Sequence, residues 1–111
     1  MKTFDAVLAL KALAQDSRLA AYRLLVQAGP DGLAVGELGE RLKLPGATLT
    51  NHLNVLRRAG LVRDVREGRS IRCSAEFAHM NALLAFLTEK CCGSDASVCA
   101  PTCAPKRGKR P

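Results

Sequence analysis

Apolar residues recur along this chain with two periods. As far as Leu56, and again from Phe77 to Cys91, they return every three or four positions; between these stretches runs a short alternating segment. Phe4, Val7, Leu8, Leu10 and Leu13 predict a first helix that is apolar over most of its circumference, as expected of a helix buried at an interface. Asp16 or Ser17 is placed to cap a second helix reaching Ala28, with Leu19, Tyr22, Leu25 and Val26 inward. Gly29-Pro30-Asp31-Gly32 breaks that helix. A short third helix is predicted from Val35 to Lys43, carrying Leu38 and Leu42. After the tight turn Leu44-Pro45-Gly46, a fourth runs from Ala47 to Ala59 with Leu49, Leu53 and Leu56 on its inner face, and Gly60 stops it.

Alternation then takes over. Leu61–Arg66 and Ser70–Ser74 read as two short strands, with Val62/Asp64 and Ile71/Cys73 marking the period and Glu67-Gly68-Arg69 as a hairpin turn. The last helix, Ala75 to Cys92, sets Phe77, Met80, Leu84, Leu87 and Cys91 in one stripe of 3-4-3-4 spacing, the pattern of a helix that pairs with a partner. Ser94–Pro111 has no period. The expected organisation is a folded domain over 1–92 and a flexible, basic, cysteine-containing tail over 93–111.

Two short helices joined by a tight turn, the second rich in small polar residues, predict a helix-turn-helix; the basic hairpin after it makes the arrangement a winged helix, mainly α with a small β-hairpin. The outward residues of the fourth helix are Thr48, Thr50, Asn51, His52 and Asn54, short side chains with donors and acceptors that reach base edges in a major groove. Arg57 and Arg58 at its far end, with Arg66 and Arg69 in the hairpin, are candidates for phosphate contacts.

Charge sharpens this picture. The net charge is +7, yet residues 41–72 alone carry eight basic groups against two acidic ones, while 1–40 and 73–103 are slightly negative. A basic middle between near-neutral ends is the footprint of a nucleic-acid surface. At 111 residues the chain forms one domain with a modest core, which dimerisation would enlarge. No apolar run of membrane-spanning length occurs, and Asp5 and Lys11 interrupt the one stretch near the start that resembles a signal peptide, so a cytoplasmic protein is expected.

Residues 45–62, Pro-Gly-Ala-Thr-Leu-Thr-Asn-His-Leu-Asn-Val-Leu-Arg-Arg-Ala-Gly-Leu-Val, resemble the recognition helix of the ArsR/SmtB family of bacterial metal-sensing repressors. Arg66-Glu67-Gly68-Arg69 resembles the family's wing and Leu33–Leu42 its preceding helix, so the similarity spans about residues 5–90. It implies a homodimer whose first and last helices pair across a two-fold axis through Phe4, Leu8, Phe77, Met80, Leu84 and Leu87. It also implies that the dimer binds double-stranded operator DNA until an inducer arrives. Pro45-Gly46 departs from the polar cap the family often places before this helix, and Val35-Gly36-Glu37-Leu38 stands where many arsenic-responsive members carry Cys-x-Cys. Glu76 and His79 lack the spacing and partners of the family's zinc site on the last helix; His79 is expected at a surface or an interface.

Four of the five cysteines lie in thirteen residues, as Cys91-Cys92-x6-Cys99-x3-Cys103. Soft thiolates at this density select thiophilic ions. The resemblance implies that As(III) or Sb(III), rather than an organic cofactor, is the inducer, bound by Cys91, Cys92 and Cys99 with Cys103 as a spare. A zinc or cadmium site and a thiol-disulfide switch remain alternatives, although adjacent cysteines are a poor zinc spacing. Cys73, away from the cluster, is expected to be packed and inert. A small thiol-dependent arsenic enzyme is the alternative from another class, but no phosphate-type loop precedes any cysteine and no Cys-x-x-Cys occurs.

Overall fold

Three alanines of the first helix, with Leu13 at its end, make its contact with the domain. In the computed structural model, which describes residues 1–89, α1 (Thr3–Leu13) buries Ala6, Ala9 and Ala12 and leaves Phe4, Val7, Leu8 and Leu10 on the surface. Alanines let the helix axes approach closely, so α1 packs on α2 and α4 through one narrow seam. The wide apolar circumference expected from the sequence is thus split: one stripe faces this protomer, and the larger side chains face outward.

A second helix lies against this seam. α2 (Asp16–Ala28) buries Ala21, Tyr22 and Leu25. Leu19 and Val26, expected inward, are 45% and 40% exposed; they lie off the seam that the alanines define. Its N-cap is Gln15, whose side chain accepts the Arg18 amide, rather than Asp16 or Ser17. β1 (Leu33–Ala34) follows the turn, a strand too short to leave a periodic trace in the sequence.

The helix-turn-helix comes next. α3 (Val35–Leu42) buries Leu38 and ends at Lys43, which is left-handed at φ 56. α4 (Gly46–Arg58) starts at an N-cap of Pro45 with no side-chain cap and buries Leu49, Leu53 and Leu56, as the pattern predicts. Gly60, at φ +81, turns the chain out of it; a Cβ there would also meet the His79 ring at 3.0–3.3 Å.

β2 (Val62–Glu67) and β3 (Ser70–Ala75) form the expected hairpin, displaced by one residue at the first strand's start. The sheet has three strands, not two, in the order β1-β3-β2, all antiparallel. Leu33 pairs with Cys73 and Ala34 with Arg72, so the wing is joined to the domain along its β3 side. α5 (Phe77–Leu87) begins two residues later than the sequence implied, after Ala75 has finished β3, and it ends at Leu87 with Thr88 as its C-cap, short of the expected Cys92. It buries Leu83, while Phe77, Met80 and Phe86 pack partly against the core. Leu84 and Leu87 are each 52% exposed.

Gly32 shows how tightly β1 is set. It is at φ +70, and a Cβ would come within 2.0 Å of the Cys73 carbonyl oxygen. Gly32→Ala is therefore expected to destabilise the fold by roughly 3 kcal/mol, combining left-handed strain with a backbone clash. In a urea melt the midpoint should fall accordingly, and a wild-type midpoint would contradict this placement of β1.

Candidate nucleic-acid interface

α4 advances about 100° per residue, so its Leu49/Leu53/Leu56 stripe fixes where every other side chain points. Opposite the stripe lie Ala47, Asn51, Asn54 and Arg58, with Thr48 and Thr50 at the margins, and all six are exposed. This is the surface expected to enter a major groove. The alanine and the short polar side chains permit close approach, and the exposed Arg58 ends the row.

His52 and Arg57 flank the buried stripe on opposite sides, and the structure engages both within the chain. His52 Nδ1 lies 3.4 Å from a guanidinium nitrogen of Arg18, whose Nε donates to the Ala12 carbonyl at 2.7 Å. A half-buried residue expected on the DNA face thus meets Arg18 of α2, which in turn holds the end of α1. Arg57 Nε donates to Asp64 Oδ1 at 3.0 Å, one terminal nitrogen donates to Asn54 Oδ1 at 2.8 Å, and the other is 3.5 Å from Cys73 Sγ. The sequence pointed to neither Arg18 nor Asp64. Both partners come from elements whose approach depends on the tertiary fold.

The wing supplies the remaining basic groups. Val62, Asp64 and Arg66 pair with Ala75, Cys73 and Ile71, so these residues share one sheet face, next to α4. Arg66 therefore continues the basic line from α4 along the wing, and Arg69 stands exposed at the turn. Arg63 and Arg72 lie on the other face; Arg72 is tied to the Asp31 and Gly32 carbonyls at 3.1 and 3.0 Å. Arg41 pairs with Glu37 at 3.6 Å. Of the eight basic side chains in the central segment, Lys43, Arg58, Arg63, Arg66 and Arg69 are exposed outside these pairings.

Cys73 is fully buried, and burial pushes its thiol pKa above the ordinary value, with the nearby Arg57 opposing the rise. Tyr22 is raised in the same direction by burial and then by the charge of Glu76. The His79 ring packs over Gly60, and its Nε2 is buried without a hydrogen-bond partner. Among the described residues no group of three or more His, Cys, Asp or Glu side chains is placed to hold a metal ion. Cys91, Cys92, Cys99 and Cys103, and the expected tail, lie outside the described residues.

Five helices, among them a helix-turn-helix with an exposed polar recognition face, and a basic hairpin wing define a winged-helix DNA-binding regulator. Known proteins agree. Residues 13–65 match a helix-turn-helix domain family. The chain is 34% identical over 87 residues to the transcriptional activator HlyU of Vibrio cholerae, covering 78% of each protein. The solved structure of that HlyU matches at TM-score 0.57 and 37% identity, over 78% of this chain and 97% of that one. An ArsR-like transcriptional regulator from Rhodococcus sp. RHA1 matches at TM-score 0.64 and 29% identity, over 75% of this chain and 76% of that one. A homodimeric winged helix-turn-helix DNA-binding domain from Mycobacterium bovis, a possible ArsR-family regulator, matches at TM-score 0.61 and 26% identity, over 78% and 80%. The chain belongs to the ArsR/SmtB family of winged-helix transcriptional regulators. Its relatives are regulators, so the thiol-enzyme alternative is set aside. No helix among the described residues is long and apolar enough to cross a membrane.

Proposed function

We propose that this regulator is a homodimeric repressor that holds operator DNA through α4 and the wing. It lets go when trivalent arsenic or antimony binds Cys91, Cys92 and Cys99, with Cys103 as a spare thiol. The dimer rests on the apolar face of α1 and α5: Phe4 is 75% exposed and Leu84 and Leu87 52% each, and the two helices pack side by side in the protomer. Contiguous exposed apolar surface of this kind marks an interface. The Mycobacterium bovis neighbour is described as homodimeric, which supports the same assembly here.

The observation that carries the inducer is the cysteine spacing itself. Two adjacent thiols come four and five residues after the last residue of α5, and a third comes seven residues after Cys92. Three thiolates suit a pyramidal trivalent metalloid better than a tetrahedral divalent ion. The test is the complex of reduced protein with the DNA duplex it selects from a random pool, titrated with arsenite, antimonite, zinc and cadmium. Release by arsenite and antimonite is the expected result. Release by zinc or cadmium alone would replace the metalloid with a divalent ion.

A thiol-redox-responsive regulator is the second reading. It draws on HlyU of Vibrio cholerae, whose structure has been described in its reduced form. Release by peroxide, reversed by dithiothreitol and unaffected by arsenite, would favour it. HlyU is named an activator, so the sign of regulation is tested separately, with a reporter gene placed behind the selected duplex.

A further inference from the structure

The side chain of Arg57 stands at the exit of the recognition helix, where a free cation would grip a phosphate. Its three guanidinium nitrogens are instead all engaged within the chain: with Asp64 across the α4–β2 turn, with Asn54 one helical turn back, and with the buried sulfur of Cys73. We propose that Arg57 is a positioning residue of the DNA interface, which holds the wing to the recognition helix through Asp64 and fixes the orientation of the Asn54 carboxamide. The proposal rests on the DNA-binding function of the fold and assigns Arg57 a part in it different from the one its sequence position suggests.

The geometry of the wing gives the first half of this assignment. On its β3 side the hairpin is held by the pairing of Leu33 with Cys73 and of Ala34 with Arg72. On the α4 side the Arg57–Asp64 contact, 3.0 Å long, ties the middle of β2 to the last turn of the helix. Arg66 is two residues beyond Asp64 on the same sheet face, so a change in the angle of the hairpin moves Arg66 and Arg69 relative to the groove occupied by α4. The side chains are 28% and 43% exposed, and a pair so wet adds little to global stability. Its effect is on the alignment of two DNA-contacting elements.

The second half concerns Asn54. A guanidinium only donates, so the Asn54 atom that faces it must be the carbonyl oxygen. That leaves the NH2 group as the free end of an exposed side chain on the groove-facing sector. An asparagine whose oxygen is taken in this way offers donors to base acceptors. It is poorly placed for the paired donor and acceptor contact that asparagine makes with adenine.

The test compares Asp64→Asn, Arg57→Gln and the double variant on two probes: the duplex enriched by the wild-type protein from a random-sequence pool, and poly(dI–dC). Asp64→Asn is isosteric and removes a negative charge beside the DNA, so electrostatics alone would tighten binding to both probes. The positioning role requires the opposite for the selected duplex: a loss of about tenfold, the order of one lost base contact, with poly(dI–dC) binding unchanged or tighter. Arg57→Gln should lose a similar factor with the salt dependence of binding intact, whereas a phosphate contact would lower the slope by about two per dimer. The double variant should be no worse than the weaker single one. In the free protein, Asp64→Asn should speed amide exchange across residues 62–75 and leave α1 and α2 unchanged. Tighter binding of the selected duplex by Asp64→Asn, a slope lowered by Arg57→Gln, or unchanged exchange in the wing would overturn the proposal. Wild-type protein that enriches no duplex would instead count against DNA binding itself, and the exchange measurement would still decide whether the wing is held as proposed.

Discussion

Leu84→Glu is expected to turn the protein into a folded monomer that no longer holds its operator. Leu84 is 52% exposed in the single protomer and lies beside Leu87 on the outer side of α5, while its neighbour Leu83 is 2% exposed in the core. Glutamate and leucine have similar helix propensities, so the exchange costs little within α5 itself. In the proposed dimer the two-fold axis would bring a second copy of the same charge onto the same apolar seam. An unpaired charge buried there costs about 3–5 kcal/mol, enough to dissociate a dimer of modest interface. A monomer places one recognition helix where the dimer places two, so operator affinity should fall by orders of magnitude while circular dichroism stays native. Leu83→Glu is the contrasting variant, and it should lose the fold. A Leu84→Glu protein that sediments as a dimer and binds the selected duplex normally would show that this face of α5 is not the interface.

Those adjacent leucines illustrate what the sequence could and could not convey. The 3-4-3-4 stripe placed Phe77, Met80, Leu84 and Leu87 on one side of α5, but periodicity does not tell a seam that faces the protomer from one that faces a partner. The structure divides the stripe: Phe77 and Met80 pack partly on the core, and Leu84 and Leu87 stay outside. The helix-turn-helix was far more legible. Leu49, Leu53 and Leu56 face the core without ambiguity, and Gly60 ends their helix as expected. On α2, Leu19 and Val26 misled because an apolar residue beside a seam looks the same in sequence as one in it.

The interface followed the same rule. Thr48, Thr50, Asn51 and Arg58 could be placed from α4 alone, because their exposure follows from the position of the leucine stripe. Arg57 and His52 could not. Their directions depend on Asp64, brought close by the hairpin, and on Arg18, brought close by helix packing. β1 was invisible for a related reason: two residues carry no period, and the strand exists only because β3 is there to pair with it.

Serine at Cys91 and Cys92 together should give a protein that binds DNA as the wild type does and fails to let go when arsenite is added. The recognition face and the wing lie wholly before these residues, so DNA affinity without inducer should be unchanged. In the proposed site three thiolates gathered by one metalloid would act on the chain that begins four residues past the end of α5, the helix whose exposed leucines are proposed to make the dimer. A coupling of about 1–3 kcal/mol between that site and the DNA surface weakens operator binding roughly 5–150-fold. Cys99→Ser should weaken the response, with Cys103 left as the one nearby thiol able to take its place, and Cys103→Ser should keep it. Cys73→Ser should also respond like the wild type: that sulfur is fully buried, and its raised pKa disfavours the thiolate that would bind a metalloid. The measurement is a fluorescence-anisotropy titration of each reduced variant on the selected duplex with arsenite. Normal release from the Cys91→Ser/Cys92→Ser protein would remove the inducer site from this end of the chain.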